Sequence, residues 1–362
     1  MHIMVRMWRK PQTVELIKSL AVASPQQIIE LCNQKSKSGF TPLLLACKLI
    51  AADPDIKKAT VSEYATELIE ALITTGKSDP SSAVSKAKSS KLAHKEEDTT
   101  AAHYLAGGKS VHVLRVLLEH KPRLECSDKN GATPLIHSLR NSDSANVIAL
   151  LNAGASVDFV PTAGKFSFTM APLLFACKIH GANNNLMQAL KLMFEKISDV
   201  NTVPACPETG MTPLMLVCTN SQDTELVKLL LKKNANVNAT DNKKLTALHH
   251  AVLATEPRKH VSEIIEILLL AGASTSAEDD TGKTALHMAF NKSGHDPRPM
   301  ISLLIQKMDD VEIDSGDNNK RTALHLAAEI GAICCITTLA KRHANLNARD
   351  KDGNSPLALA IK

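Results

Sequence analysis

One short pattern recurs along this chain and limits what it can become. "TALHLAAEIGA" spans Thr322 to Ala332, and close copies read "TALHMAF" (Thr284 to Phe290), "TALHHAV" (Thr246 to Val252) and "TPLMLVC" (Thr212 to Cys218). The slot of Thr322 recurs at Thr41, Thr100, Thr133, Ala171, Thr212, Thr246, Thr284 and Ser355. Successive spacings run from 33 to 59 residues, with 33 the shortest and found twice. A catalytic site is built once. A near-copy returning at such intervals marks a structural unit that buries its apolar face on its neighbours.

The residues around the slot predict the unit's shape. Thr or Ser is a helix N-cap whose oxygen accepts an unpaired backbone N–H. Proline follows at Pro42, Pro134, Pro172, Pro213 and Pro356, the first helical position, where a missing N–H costs nothing. Small residues further on (Ala46, Ala176, Ala251, Ala289, Ala327) let neighbouring helices approach closely. A second amphipathic run follows, as in "TELVKLLLKK" or "VSEIIEILLLAG", with apolar residues at helical spacing. It ends at Gly154, Gly272 or Asn234, residues suited to a left-handed C-terminal cap.

Composition agrees with a helical stack. Of 362 residues, 44% are hydrophobic but only 3% aromatic, so the core is aliphatic. A net charge of +5 is too mild for a nucleic-acid binder and admits an acidic partner. The eight cysteines form no CxxC pair and read as free thiols of a reducing compartment, cytoplasmic or nuclear. No apolar run reaches the roughly 20 residues of a membrane span, so no membrane insertion is expected. "MHIMVRMWRK" lacks the features of a signal peptide.

With its "TPLHxAA" opening, "LLxxGAxxN" close and "D-x-x-G" turn, the chain resembles ankyrin-repeat proteins over roughly residues 35 to 361. The resemblance implies an all-α solenoid of about nine units, each a helix-turn-helix with a hairpin-like turn. On this reading 1–34 is a helical cap, with two short helices in "VELIKSLAVASPQQIIELCNQ", and 35–76 is the first repeat. Residues 77–98 are a lysine- and serine-rich insertion, and 99–362 hold the remaining repeats. The last of these is one helix long, an open face that points to a longer protein.

Other motifs yield to structural readings. "GGKS" (Gly107 to Ser110) and "GKT" (Gly282 to Thr284) lack the first glycine of a phosphate loop, leaving no nucleotide cofactor. "LRVLL" and "LVKLL" match a receptor-docking pattern, but their leucines lie in the buried stripe. His103, His249, His287 and His325 hold the fourth position of the motif, where the resemblance implies hydrogen bonds between units; metal binding would need them to converge. No catalytic constellation stands out. Cys334 and Cys335 read as partly buried and unactivated.

The resemblance places partner binding on the turn tips and the exposed face of each first helix. Tip and pre-cap slots hold Lys129, Asn130, Phe168, Met170, Glu208, Met211, Asn242, Lys243, Leu245, Asp280, Lys283, Asn318, Asn319 and Arg321. First-helix slots hold Lys48, Arg140, Asn141, Lys178, Ile179, Asn220, Asn291, Lys292, Glu329 and Ile330. Phe168, Met170 and Met211 suggest a central hydrophobic anchor patch. The excess of cations favours an acidic or mixed-charge peptide. Asn238 and Asn347 occupy the slot that asparaginyl hydroxylases modify in some family members. The expected function is a non-enzymatic scaffold or adaptor. The alternative is the targeting or regulatory region of a larger enzyme, such as a ubiquitin ligase or kinase.

Overall fold

The computed structural model describes residues 1–10, 12–83, 98–160, 170–180, 186–221, 223–254, 260–290, 298–309 and 312–361. The chain forms two compact units, one of Met1–Ala176 with Asn185–Lys196, the other of Cys177–Asn184 with Ile197–Lys362. The described residues are helices joined by turns, with two isolated bridges (Ala83 to Thr100, Gly316 to Thr322) and no named strand.

In the first unit, first helices α1 (His2–Arg6), α4 (Pro42–Ala51), α6 (Ala101–Ala106) and α8 (Pro134–Arg140) pack side by side. Second helices α2 (Gln12–Ala23), α5 (Ala59–Thr74), α7 (Val111–Glu119), α9 (Ser144–Asn152) and α11 (Met187–Lys196) form the layer behind them. Helix α3 (Pro25–Asn33) packs on α2 and α4, and α10 (Pro172–His180) follows the Ala171 slot. The two helices expected before the first repeat are α2 and α3. Helix α1 is an addition: five residues are too few for a period to show, yet Val5 and Trp8 are buried.

In the second unit the first-helix layer comprises α12 (Pro213–Leu216) with a π turn over Val217–Ser221, α14 (Ala247–Leu253), α16 (Ala285–Ala289), α18 (Ala323–Glu329) and α20 (Pro356–Ile361). Behind it lie α13 (Thr224–Lys232), α15 (Val261–Leu270), α17 (Arg298–Lys307) and α19 (Ile333–Lys341).

The slot chemistry is realised as expected. Thr41, Thr133 and Thr212 accept through Oγ1 from the N–H groups of Leu44, Ile136 and Met215, at 3.3–3.4 Å. Ala46, Ala176, Ala251, Ala289 and Ala327 are buried between helices. Leu43, Leu44, Leu68, Leu72 and Leu114 are fully buried, each contributing roughly 1.5–3 kcal/mol. In "LRVLL" and "LVKLL", Leu114, Leu117, Leu226 and Leu230 are buried in the same way and cannot serve as docking anchors. Second helices close in left-handed residues: Gly154, Gly272 and Asn234 as expected, and also Lys121 and His343. At Gly154 the cap is a full Schellman motif, with Gly154 N–H donating to Leu151 O and Ala155 N–H to Leu150 O.

Candidate functional site: the turn tips and first-helix faces

Five of the tips are organised by one acid ahead of the cap. Asp128, Asp241, Asp279, Asp317 and Asp350 accept through Oδ1 from the N–H groups two and four residues on, at 2.7–3.0 Å. Ser36 does the same for Phe40 N–H through its hydroxyl. The second carboxylate oxygen is bound too: His137 Nε2 reaches Asp128 at 3.1 Å, His250 Nε2 reaches Asp241 at 3.0 Å, and Arg321 Nη2 reaches Asp317 at 3.1 Å. Burial opposes ionisation of Asp128 and Asp317. The hydrogen bonds from His137, Arg321 and the backbone outweigh it, so both carboxyls stay below the usual carboxylate range.

A second network ties one slot to the next. In the Thr100, Thr246, Thr284 and Thr322 slots, the threonine N–H donates to Nδ1 of His103, His249, His287 and His325, at 3.1–3.2 Å. An Nδ1 that accepts carries no proton, so the proton sits on Nε2 and is donated onward. Its acceptors are the carbonyls of Ala132, Lys283, Arg321 and Asn354 in the following slot, at 3.0–3.3 Å. Burial holds His103, His249 and His287 below the ordinary histidine pKa, which keeps the ring neutral as this wiring requires. Among the described residues no group of three metal-ligating side chains converges.

Adjacent tips are also bonded edge to edge in the second unit. Asn242 N–H donates to Thr209 O, Asp280 N–H to Lys243 O, Asn318 N–H to Thr281 O and Lys351 N–H to Asn319 O, at 2.9–3.2 Å. The side chains of Asn242 and Asn318 reinforce this through Nδ2, to Glu208 O and Asp280 O, both at 3.3 Å. Gly210 and Gly282 have φ of +75° and +72°, and a Cβ on either would overlap Oδ1 of Asn242 or Asn318 respectively. Lys244 and Lys320 hold the equivalent left-handed position in their own turns.

The expected contact residues divide into three groups. Exposed are Asn130, Arg140, Asn141, Lys178, Glu208, Asn220, Asn242, Lys243, Asp280, Asn318, Asn319, Glu329 and Ile330, while Lys48, Lys129, Ile179, Met211, Lys283 and Arg321 are half-buried. Met170 and Leu245 are buried, which corrects the expectation that they meet a partner. The pre-cap slot is flanked by the packed tips and apolar occupants sink into it, as Phe40 and Ala132 also do. Phe168, Asn291 and Lys292 lie outside the described residues. The apolar patch is therefore reduced to Met211 among the described residues. Cys335 is buried as expected, but Cys334 is exposed.

Several exposed polar residues already have structural work. Asn141 Nδ2 donates to Gly107 O, and Asn220 Nδ2 to Lys178 O at 3.4 Å. Asn238 accepts Ser274 N–H at 2.8 Å and donates to Gly272 O at 3.0 Å, a bridge to the next slot, and remains exposed. Asn347 is exposed, with its N–H donated to Asn345 Oδ1. Sequence reading saw the aspartate of the "D-x-x-G" turn but missed its partners, the histidines one place after the tie position, His137 and His250. An aspartate nine residues ahead of each was the available signal. His250 also meets Thr219 Oγ1 at 3.1 Å, so Asp241, His250 and Thr219 have the connectivity of a nucleophile triad. His250 is buried and Thr219 Oγ1 lies 2.8 Å from Met215 O, so the trio is a tie between neighbouring slots.

Comparison with known proteins agrees with this geometry. The family model for ankyrin repeats matches three stretches, residues 57–160, 173–261 and 252–350. The chain is 39% identical over 66 residues (18% of this chain, 3% of the other) to poly [ADP-ribose] polymerase tankyrase of Caenorhabditis elegans. It is 35% identical over 124 residues (34% and 10%) to human transient receptor potential cation channel subfamily A member 1. It is 31% identical over 126 residues (33% and 23%) to ankyrin repeat, SAM and basic leucine zipper domain-containing protein 1 of Echinops telfairi. The matched stretches thus span less than a quarter of these relatives' own lengths. Repeats of this kind are in general protein-interaction modules and are not catalytic by themselves. With the family model covering well over half of its length, the chain belongs to the ankyrin-repeat family.

Proposed function

We propose that this chain is a scaffold or adaptor that binds a partner protein along its tips and first-helix faces, in the cytoplasm or nucleus. The supporting observation is a division of labour within each slot. Tip aspartates, cap threonines and tie histidines spend their hydrogen bonds internally, while exposed side chains such as Lys178 and Lys243 stand at the surface of that network. Shape is thus fixed by one residue set and specificity can be set by another. The partner is an acidic or mixed-charge segment with a hydrophobic anchor. A second reading, the recognition region of a larger enzyme, is favoured by the small share of each relative that the matched stretches cover.

Site-specific photocrosslinking tests the proposal. A photoreactive residue at Arg140 or Lys243 is expected to trap a discrete partner from the native cell, and one at Lys228 on a second helix is not. Adducts of equal yield from all three positions would overturn it.

A further inference from the structure

The first helices of the two units present different chemistry. In the second unit the residue four after the cap is buried in all but the last helix: Leu216, His250, Met288 and Leu326 are each less than 10% exposed, while Leu359 in α20 is half-buried. In the first unit the same position holds Leu45, Tyr104 and His137, all half-buried, so their side chains reach the surface. Helices α4, α6 and α8, which pack side by side, contain no Asp or Glu. Seven residues after the cap stand Lys48 in α4 and Arg140 in α8. The tips ahead of these helices add exposed Lys37 and half-buried Lys129; of their described acids, Asp128 is buried and bonded to His137, and Asp98, two residues ahead of the Thr100 cap, is exposed.

Aromatics are scarce in this sequence, yet two of them meet here. Tyr104 lies 6.4 Å from Phe40 between ring centroids, and Lys48 Nζ sits 4.7 Å over the Phe40 ring. A half-exposed tyrosine beside cations, with half-buried Leu45 and Leu49 on the same first-helix layer, has the composition of an interface anchor. From this juxtaposition we infer that the first-helix face of the first unit, centred on Tyr104, Lys48 and Arg140, binds an acidic linear peptide carrying one large apolar residue. Carboxylates pair with Lys48, Arg140 and the tip lysines, and the apolar residue packs on Tyr104 and Leu45. A nucleic acid fits less well. Phe40 is buried under Lys48, which leaves Tyr104 as a lone platform rather than a row of rings for successive bases, and the cations are few for tracking a phosphate backbone.

The inference rests on the protein-binding reading and narrows it to one face and one ligand chemistry. The test selects a displayed library of random twelve-residue peptides on the 362-residue chain, then measures enriched peptides by fluorescence anisotropy. Selected peptides are expected to be acidic with one Phe, Leu, Ile or Trp. Replacing their acids by Lys, or the apolar residue by Ala, should weaken binding at least tenfold. Lys48→Glu with Arg140→Glu, both at the surface, should do the same, as should Tyr104→Ala. Tyr104→Phe keeps the ring and should retain binding, as should the control Lys232→Glu on second helix α13, outside the tips and first-helix faces. Peptides without acidic bias, or binding indifferent to K48E/R140E, would overturn this inference alone and leave a binding module with a different face. Enrichment of no peptide at all would overturn the protein-binding reading with it. Tighter binding of a twelve-nucleotide RNA, lost in K48E/R140E, would reassign the face to nucleic acid.

Discussion

Mild acid should loosen this protein well before its carboxylates titrate. His103, His249, His250 and His287 are buried and held below the ordinary histidine pKa, chiefly by desolvation. In the unfolded chain each titrates near pH 6.5. A group whose folded pKa is depressed binds more protons when unfolded, so stability falls as pH drops below the unfolded value. For a ring held down to about 3, as His103 is, moving from pH 7 to pH 5.5 costs about 1.3 kcal/mol, and His249, His250 and His287 add to the loss in the same direction. The depressed carboxyls of Asp128, Asp317 and Asp350 are stabilising above pH ~4 and lose that contribution only below it, outside this window. Urea unfolding of the whole chain, followed by far-UV circular dichroism at constant ionic strength, should show a clearly lower midpoint at pH 5.5 than at pH 7. Unfolding near pH 6 should take up protons. Coincident midpoints, or no proton uptake, would refute the neutral-histidine wiring.

Other expectations follow from the same contacts. His287→Leu leaves the Thr284 N–H and the Arg321 carbonyl without their partner and should cost about 2–6 kcal/mol in chemical denaturation, given about 1–3 kcal/mol per buried unsatisfied group. Gly282→Ala should destabilise more than Gly272→Ala. Both are left-handed, but only the Gly282 Cβ would collide with Asn318, whereas Gly272 has nothing within 4 Å. In brief alkylation read by intact-mass spectrometry, exposed Cys334 should react first. Cys47, Cys177 and Cys218 should react only after unfolding, since complete burial raises their thiols, to about 12 for Cys177 and Cys218.

Much of the fold was legible because its signals are local. A threonine cap, a proline at the first helical position and a left-handed helix end are each written within a few residues, and Thr41, Pro42 and Gly154 behave as their types require. The π turn at Val217–Ser221 was not legible, since "VCTNS" carries no breaker. Exposure at the tips was read less well. Sequence spacing put Met170 and Leu245 in the same slot as Lys283 and Arg321, but whether a side chain sinks or stands there depends on the neighbouring tip, a contact between residues some 35 apart. The bonds of Asn242 and Asn318 to neighbouring carbonyls were hidden for the same reason: a partner-facing asparagine and a stapling one look alike in sequence.

The interlock of Gly210 with Asn242, and of Gly282 with Asn318, has a bearing on redesign. Each asparagine occupies the space that a side chain on the preceding tip would need. The tips of Lys244 and Lys320, whose left-handed residue does carry a Cβ, are followed by Asp280 and Lys351 instead. The units are thus not interchangeable beads. Exchanging or deleting one would bring a lysine tip against an asparagine that requires glycine. The order of repeats is encoded in matched pairs of neighbouring tips, and a shuffled or shortened version would have to move each pair together.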